Sequence, residues 1–203
     1  CLEMAAEWLV RLHNCRLQIT PPGEFFSNEP LRLERYISAF YKINHPHTRK
    51  AQEIMNKIIE TENSLYRGHP EKLIQGHGDF HPKNIFIGQD SDDPSSRFVA
   101  AIDFGGSYTM PPAFDVGTFL AQFRNQFYDK REVFAKVSEN IFLQKYLNEA
   151  RQLDDDFLRQ IELFSARTSL SISYYLIKVG LGESENLWRV LVEAEHHLAR
   201  LAI

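Results

Sequence analysis

The 203 residues are 43% hydrophobic and 25% charged, which is enough apolar material for one core of ordinary size and too much for a disordered chain. A net charge of −4 with no lysine/arginine block offers no footprint for nucleic acid, and charges break every long apolar stretch well short of a membrane span. Cys1 and Cys15, both near the N-terminus, are too few for a disulfide framework, so the expected setting is a reducing cytoplasm.

The chain starts on Cys rather than Met, as a mature lipoprotein does, but no polar tether follows. Instead LEMAAEWLVRLHN reads directly as an amphipathic helix over 2–14, with Leu2, Ala5, Leu9 and Leu12 on one face; a fragment boundary is the expectation. The next stretch, QITPPGEFFSNEP, has three prolines and a glycine and predicts a break. Leu33, Ile37 and Phe40 then recur at helical spacing, and a longer helix is predicted over 48–66 with Ala51, Ile54, Ile58 and Leu65 inward.

The middle of the chain changes character. A short apolar run opens KLIQGHGDF, NIFIG is β-rich, and RFVAAIDFGG reads as a buried strand entering a glycine turn. The polar run QDSDDPSSR between the last two is of hairpin type. Helices are predicted again over 114–128, 130–149, 155–179 and 186–202. One core stripe runs through Phe157, Ile161, Phe164, Thr168, Ile172, Tyr175 and Val179, and another through Leu187, Val190, Leu191, Ala194, Leu198 and Leu201. The expected fold is α+β, mainly helical, with a small β-hairpin insertion that carries the polar loop HGDFHPKN at 77–84.

That loop has the residue types for phosphoryl transfer. Asp79 is a loop carboxylate that could accept a proton from a hydroxyl nucleophile. Asn84, five residues on, offers a neutral oxygen, and Asp103 offers a second carboxylate from the adjacent strand. If NIFIG and FVAAID pair antiparallel, Asn84 and Asp103 fall near the same end, and oxygen ligands of that kind suit Mg²⁺. Taken singly, the residues have plainer readings: Asp79 and Asp103 as turn formers, Asn84 as a strand-entry cap, Asp115 as a helix N-cap. His45, His47, His69, His196 and His197 are read as ordinary structural or surface histidines, and the acidic run at 153–156 as a solvated helix start capped by Asp154.

Three ordered motifs, HGDFHPKN, AIDFGG and PPAFDVG, resemble those of the aminoglycoside phosphotransferase and choline kinase family within the protein-kinase-like superfamily. The resemblance implies that residues 1–203 form a kinase-like C-terminal lobe, with catalytic and substrate-binding parts. It makes Asp79 the catalytic base and Asn84 and Asp103 the ligands of Mg²⁺ bound with ATP. It has His77 bracing the loop and Asp115 supporting it from the following helix. His81 stands where protein kinases place a phosphate-contacting lysine, and Lys83 is expected to face solvent. No glycine-rich phosphate cover is visible, since GHGDFH at 76–81 and GLGESE at 180–185 both lack the third glycine, and no strand lysine precedes residue 77, because residues 2–66 read as mainly helical. The resemblance therefore implies a nucleotide lobe supplied N-terminally, in the same longer chain or by a partner chain. The acceptor would be a small molecule bearing a hydroxyl, such as an amino sugar or amino alcohol. Two other readings stay open: a non-catalytic kinase-like binding module, and a metal-dependent hydrolase using His77, Asp79 and His81.

Overall fold

The computed structural model describes residues 1–93 and 95–202. Among the described residues, eight α-helices accompany two small antiparallel ladders: α1 (Leu2–Asn14), α2 (Gly23–Lys42), α3 (Thr48–Tyr66), β1 (Ile74–Gln75), β2 (Ile85–Gln89), β3 (Arg97–Ala101), β4 (Thr109–Met110), α4 (Pro112–Phe127), α5 (Arg131–Lys136), α6 (Asn140–Glu149), α7 (Phe157–Lys178) and α8 (Glu185–Ala199). β1 pairs with β4, and β2 with β3 in the register Ile85↔Ala101. The β2–β3 hairpin is thus an excursion between the two strands of the other ladder, and the polar loop lies at its root. Pro94, in the predicted hairpin loop, and Ile203 fall outside the described residues.

One apolar core joins the helices, with α7 at its centre between α4 and α8. Being enclosed, α7 buries most of its circumference between Ile161 and Ser173 rather than a single stripe. The predicted stripe therefore fails at its end: Tyr175 and Val179 are exposed, and Ile172 and Leu176 carry the buried face there. No helix among the described residues is long and apolar enough to cross a membrane.

Three sequence expectations are corrected. The predicted break before residue 31 is helical from Gly23, with Pro30 inside α2. An interior proline costs about 3 kcal/mol. Here the turn is held from outside, because Phe25 is buried and the Glu29 carboxylate receives the Arg167 guanidinium of α7 at 2.5 and 3.2 Å. The single helix predicted over 130–149 is divided at Val137–Glu139. Val137 is extended, the Ser138 hydroxyl accepts the Asn140 N–H, and Glu139 is drawn to Arg124 by paired hydrogen bonds of 2.7–3.0 Å. Asp154 does not cap α7: its carboxylate accepts from Gln160 Nε2 at 2.9 Å and lies 3.4 Å from Lys72 Nζ.

The buried Glu29–Arg167 pair belongs to a larger group. The Tyr108 hydroxyl donates to Glu29 at 3.3 Å, and the Arg167 guanidinium rests 4.6 Å over the Phe114 ring. Glu62 of α3 is buried beside them with Oε1 unpartnered, as is the nearby Tyr66 hydroxyl. Burial, reinforced by the charge of Glu29, raises the Glu62 carboxyl well above the usual carboxylate range.

The hairpin itself is less covered. Phe86, Ile87, Phe98, Ile102 and Phe104 on and beside it are each about half exposed.

Candidate functional site

The loop from Gly76 to Asn84 is fixed at both ends and by its middle. Phe80 is fully buried and stacks on Trp8 of α1, with ring centroids 5.6 Å apart and planes 9° apart. His77, also fully buried, lies 4.5 Å from the Phe104 ring. Its Nδ1 accepts the Asp79 N–H at 3.3 Å, so Nε2 carries the proton and is buried without a hydrogen-bond partner, while Trp8 stands edge-on to the ring. His77 frames the loop and is too enclosed to touch a ligand.

Asp115 holds the loop from the other side. It is the fourth residue of α4, completely buried, and one carboxylate oxygen accepts the His77 N–H at 2.7 Å while the other accepts the Gly78 N–H at 2.8 Å. The alternative that Asp115 caps its own helix is excluded, since α4 begins at Pro112 with no side-chain cap. His13 Nε2 approaches the same carboxylate at 3.1 Å. Gly78 has φ +83°, and a Cβ there would sit 1.9 Å from the Gly106 carbonyl oxygen. The HGD segment and the turn after Asp103 thus meet backbone to backbone.

With the loop fixed, Asp79 is left half-buried and facing out. Asn84 Nδ2 donates to its carbonyl at 3.0 Å and to Oδ2 at 3.1 Å, which leaves the Asn84 Oδ1 oxygen for another partner. His81 Nε2 lies 3.4 Å from Asp79 Oδ2, while His81 Nδ1 accepts the Lys83 N–H, which assigns the proton to Nε2. Burial pushes the Asp79 carboxyl up, but the His81 hydrogen bond and charge, together with the Asn84 amide and the nearby His77, outweigh it and leave it below the usual range. Lys83 is exposed.

Asp103 reaches the same end of the hairpin, because the Ile102 N–H donates to the Asn84 carbonyl at 3.0 Å. It is exposed, makes no capping hydrogen bond, and adopts a left-handed conformation (φ +64°). Asn84 and Asp103 present only oxygen donors, which suits Mg²⁺ rather than a soft metal. The arrangement does not favour zinc at His77, Asp79 and His81. Both histidines use Nδ1 for backbone N–H groups, His77 Nε2 is buried, and no group of three His, Cys, Asp or Glu among the described residues could hold a metal ion.

The model of the phosphotransferase enzyme family matches residues 1–137, which include all three motifs. The chain belongs to the phosphotransferase enzyme family. Among solved structures it is similar to the ethanolamine kinase of Plasmodium vivax, at 16% identity and a TM-score of 0.55, over 100% of this chain and 58% of that one. That likeness shows a kinase-like fold, of which this phosphotransferase-family chain spans 58% of the relative's length. No curated protein matches.

Sequence reasoning singled out Asp79, Asn84, Asp103 and Asp115, but it missed His13, Tyr146 and Trp8. His13 sits at the end of an ordinary amphipathic helix, 102 residues from Asp115, and nothing local distinguishes it. The signal that could have found it is its polarity next to the apolar face of α1.

Proposed function

We propose that this chain is the catalytic and acceptor-binding lobe of an ATP-dependent phosphotransferase that transfers the γ-phosphoryl group to a hydroxyl of a small molecule. The observation that carries the reading is the pairing of Asp79 with Asn84 at the hairpin root, with Asp103 at the same end. Phosphoryl transfer through a loose transition state asks for positioning and charge neutralisation more than for a strong base. A carboxylate held below its usual range fits that need: Asp79 accepts the hydrogen bond of the acceptor hydroxyl, fixes its oxygen in line, and takes the proton as the new P–O bond forms and ADP departs. His81 orients the Asp79 carboxylate. Asn84 Oδ1 and the Asp103 carboxylate would hold Mg²⁺, which when bound neutralises phosphate charge.

In this reading the half-exposed apolar residues on and beside the hairpin, Phe86 and Phe98 on one face, Ile87 on the other, and Ile102 and Phe104 at its end, include those covered by a nucleotide lobe supplied N-terminally, in the same longer chain or by a partner. The acceptor classes to test first are amino alcohols and amino sugars, the former also because the structural neighbour is an ethanolamine kinase. The expected setting remains the cytoplasm, where the two exposed, free cysteines stay as thiols.

The test is Mg·ATP-dependent phosphate transfer by the complete polypeptide to a panel of ethanolamine, choline and aminoglycosides. Asp79→Asn keeps the shape and removes the charge, so turnover is expected to fall about 10²- to 10⁴-fold with an unchanged melting temperature. Near-normal turnover of this variant would remove Asp79 from the chemistry. Asp103→Ala is expected to raise the Mg²⁺ concentration needed for half-maximal rate instead.

A further inference from the structure

A cavity of about 310 Å³ lies between the end of α1, the chain at 71–74, Pro112 and the segment that joins α6 to α7. Asp79, Asn84 and Asp103 do not line it, nor does any other residue of the loop 76–84. Its floor is apolar. Ile74, Tyr146 and Phe157 are buried there, the last two with rings stacked 5.7 Å apart, and the Tyr146 hydroxyl is already engaged, 2.7 Å from His13 Nδ1.

The charges around this floor do not cancel. Three cations, Arg16, Lys72 and Arg151, stand against two carboxylates, Glu71 and Asp154, and both carboxylates have partners. Asp154 accepts from Gln160 Nε2 at 2.9 Å and lies 3.4 Å from Lys72 Nζ, while Glu71 takes a hydrogen bond from His69 at 3.0 Å. The two arginines are not answered in this way. Among the described residues no carboxylate pairs with either; Arg16 gives one guanidinium N–H to the Glu71 carbonyl at 3.0 Å, and Arg151 is fixed only by its backbone N–H, which Asn14 Oδ1 accepts at 2.9 Å. The walls are set in advance. Arg16 (φ +48°) and Gln152 (φ +56°) are two of only four left-handed non-glycine residues among those described, and a third is Asp103. Asn14 ties the two sides, since its Nδ2 also donates to the Glu149 carbonyl at 3.1 Å. Backbone in this disfavoured region gathers at ligand clamps, and preformed walls lower the entropic cost of binding.

We propose that this cavity is a second ligand site, for a small molecule that carries one anionic head, carboxylate or phosphate, on an apolar body. The guanidinium fork matches either head group, and the floor of Ile74, Tyr146 and Phe157 takes the body. The volume is at the lower end of small-molecule sites, about 300–1,000 Å³. The excess of positive charge disfavours an amine, so the cavity is not an extension of a pocket for amino alcohols or amino sugars.

The complete polypeptide, free of nucleotide, is titrated by calorimetry with benzoate, phenyl phosphate, inorganic phosphate and benzyl alcohol, and amide exchange locates the bound probe. At least one of the two aromatic anions should saturate with a Kd below about 1 mM, protect residues 149–154, and bind at least tenfold more tightly than benzyl alcohol or inorganic phosphate. Benzoate alone would identify carboxylates, phenyl phosphate alone phosphate esters, and both together the shared head group. Arg151→Gln alters an exposed side chain and should weaken binding about tenfold or more at an unchanged melting temperature, as loss of a charged hydrogen-bond donor predicts. Arg16→Gln should weaken it comparably, and Asp103→Ala should bind as the parent does. Failure of both aromatic anions to saturate would overturn the proposal, as would equal affinity for benzyl alcohol or inorganic phosphate. Unaltered affinity in both arginine variants would overturn it too, and so would loss of binding in Asp103→Ala, which would put the anion at the hairpin root instead.

Discussion

Two buried acids in this molecule do different work. Asp115 spends both oxygens on the backbone N–H groups of a loop and on one histidine. Glu29 spends its oxygens on side chains, the guanidinium of Arg167 and the hydroxyl of Tyr108, with the Arg32 guanidinium 3.6 Å away. No unpartnered polar atom belongs to Asp115, His13 or Tyr146, whereas the group around Glu29 abuts Glu62 Oε1 and the Tyr66 hydroxyl, both without partners. A charge bonded to backbone fixes where a chain segment runs; a charge bonded to another side chain fixes how two helices dock. Disturbing the first should affect chemistry before stability, and disturbing the second the reverse.

The largest expected effect is on the Glu29 side. Arg167→Ala removes the main partner of a buried carboxylate, leaving Glu29 the Tyr108 hydroxyl and the Arg32 guanidinium 3.6 Å away, and should cost about 3–5 kcal/mol of global stability, read as a shift of the urea midpoint. A small shift would mean that water reaches Glu29 and that the two acids are less different than their contacts imply. Next is Asp115→Asn, which turns one of the two acceptors into a donor that faces a backbone N–H. The expected loss is about 1–3 kcal/mol, with exchange rising first in segment 76–79. If α7 opens at the same rate, the loop and the core are one cooperative unit and the comparison breaks.

Glu62→Gln gives a smaller effect that depends on pH. Because burial and then the Glu29 charge raise the folded-state value, Glu62 favours folding while it is protonated, below the unfolded carboxylate range; that contribution is lost as pH rises toward the folded value. The variant cannot ionise. It should therefore melt progressively higher relative to the parent as pH rises above the usual carboxylate range, and a pH-independent difference would show that folding does not raise the Glu62 carboxyl. The smallest effect belongs to Glu53→Ala. Its exposed pair with Arg49 should leave the melting temperature within error, which calibrates the others.

The sequence made the local features legible and left the long-range ones unread. The loop at 77–84, the antiparallel hairpin that brings Asn84 and Asp103 to one end, and the α8 stripe all follow from spacing over a few residues, which is where hydrophobic period and turn chemistry operate. Asp115 was legible through its place in PPAFDVG. His13, Tyr146, Glu29 and Arg167 were not, because each finds its partner more than 100 residues away and looks like any polar residue on a helix. Pro30 misled for the same reason: the contacts that override its local preference, Glu29 with Arg167 and the buried Phe25, are tertiary.

The contact between Gly78 and Gly106 bears on the freedom of motion of the site. Built on ideal geometry, a Cβ on Gly78 overlaps the Gly106 carbonyl, and a Cβ on Gly106 comes within 3.2 Å of the Gly78 carbonyl oxygen. At this spacing the two backbones have no slack, so the segment bearing Asp79 and the segment bearing Asp103 share a single displacement coordinate. A methyl group on either glycine separates the same pair of strands of chain. The second substitution would then find the separation already made, and the double variant should lose much less than the sum of the two single losses.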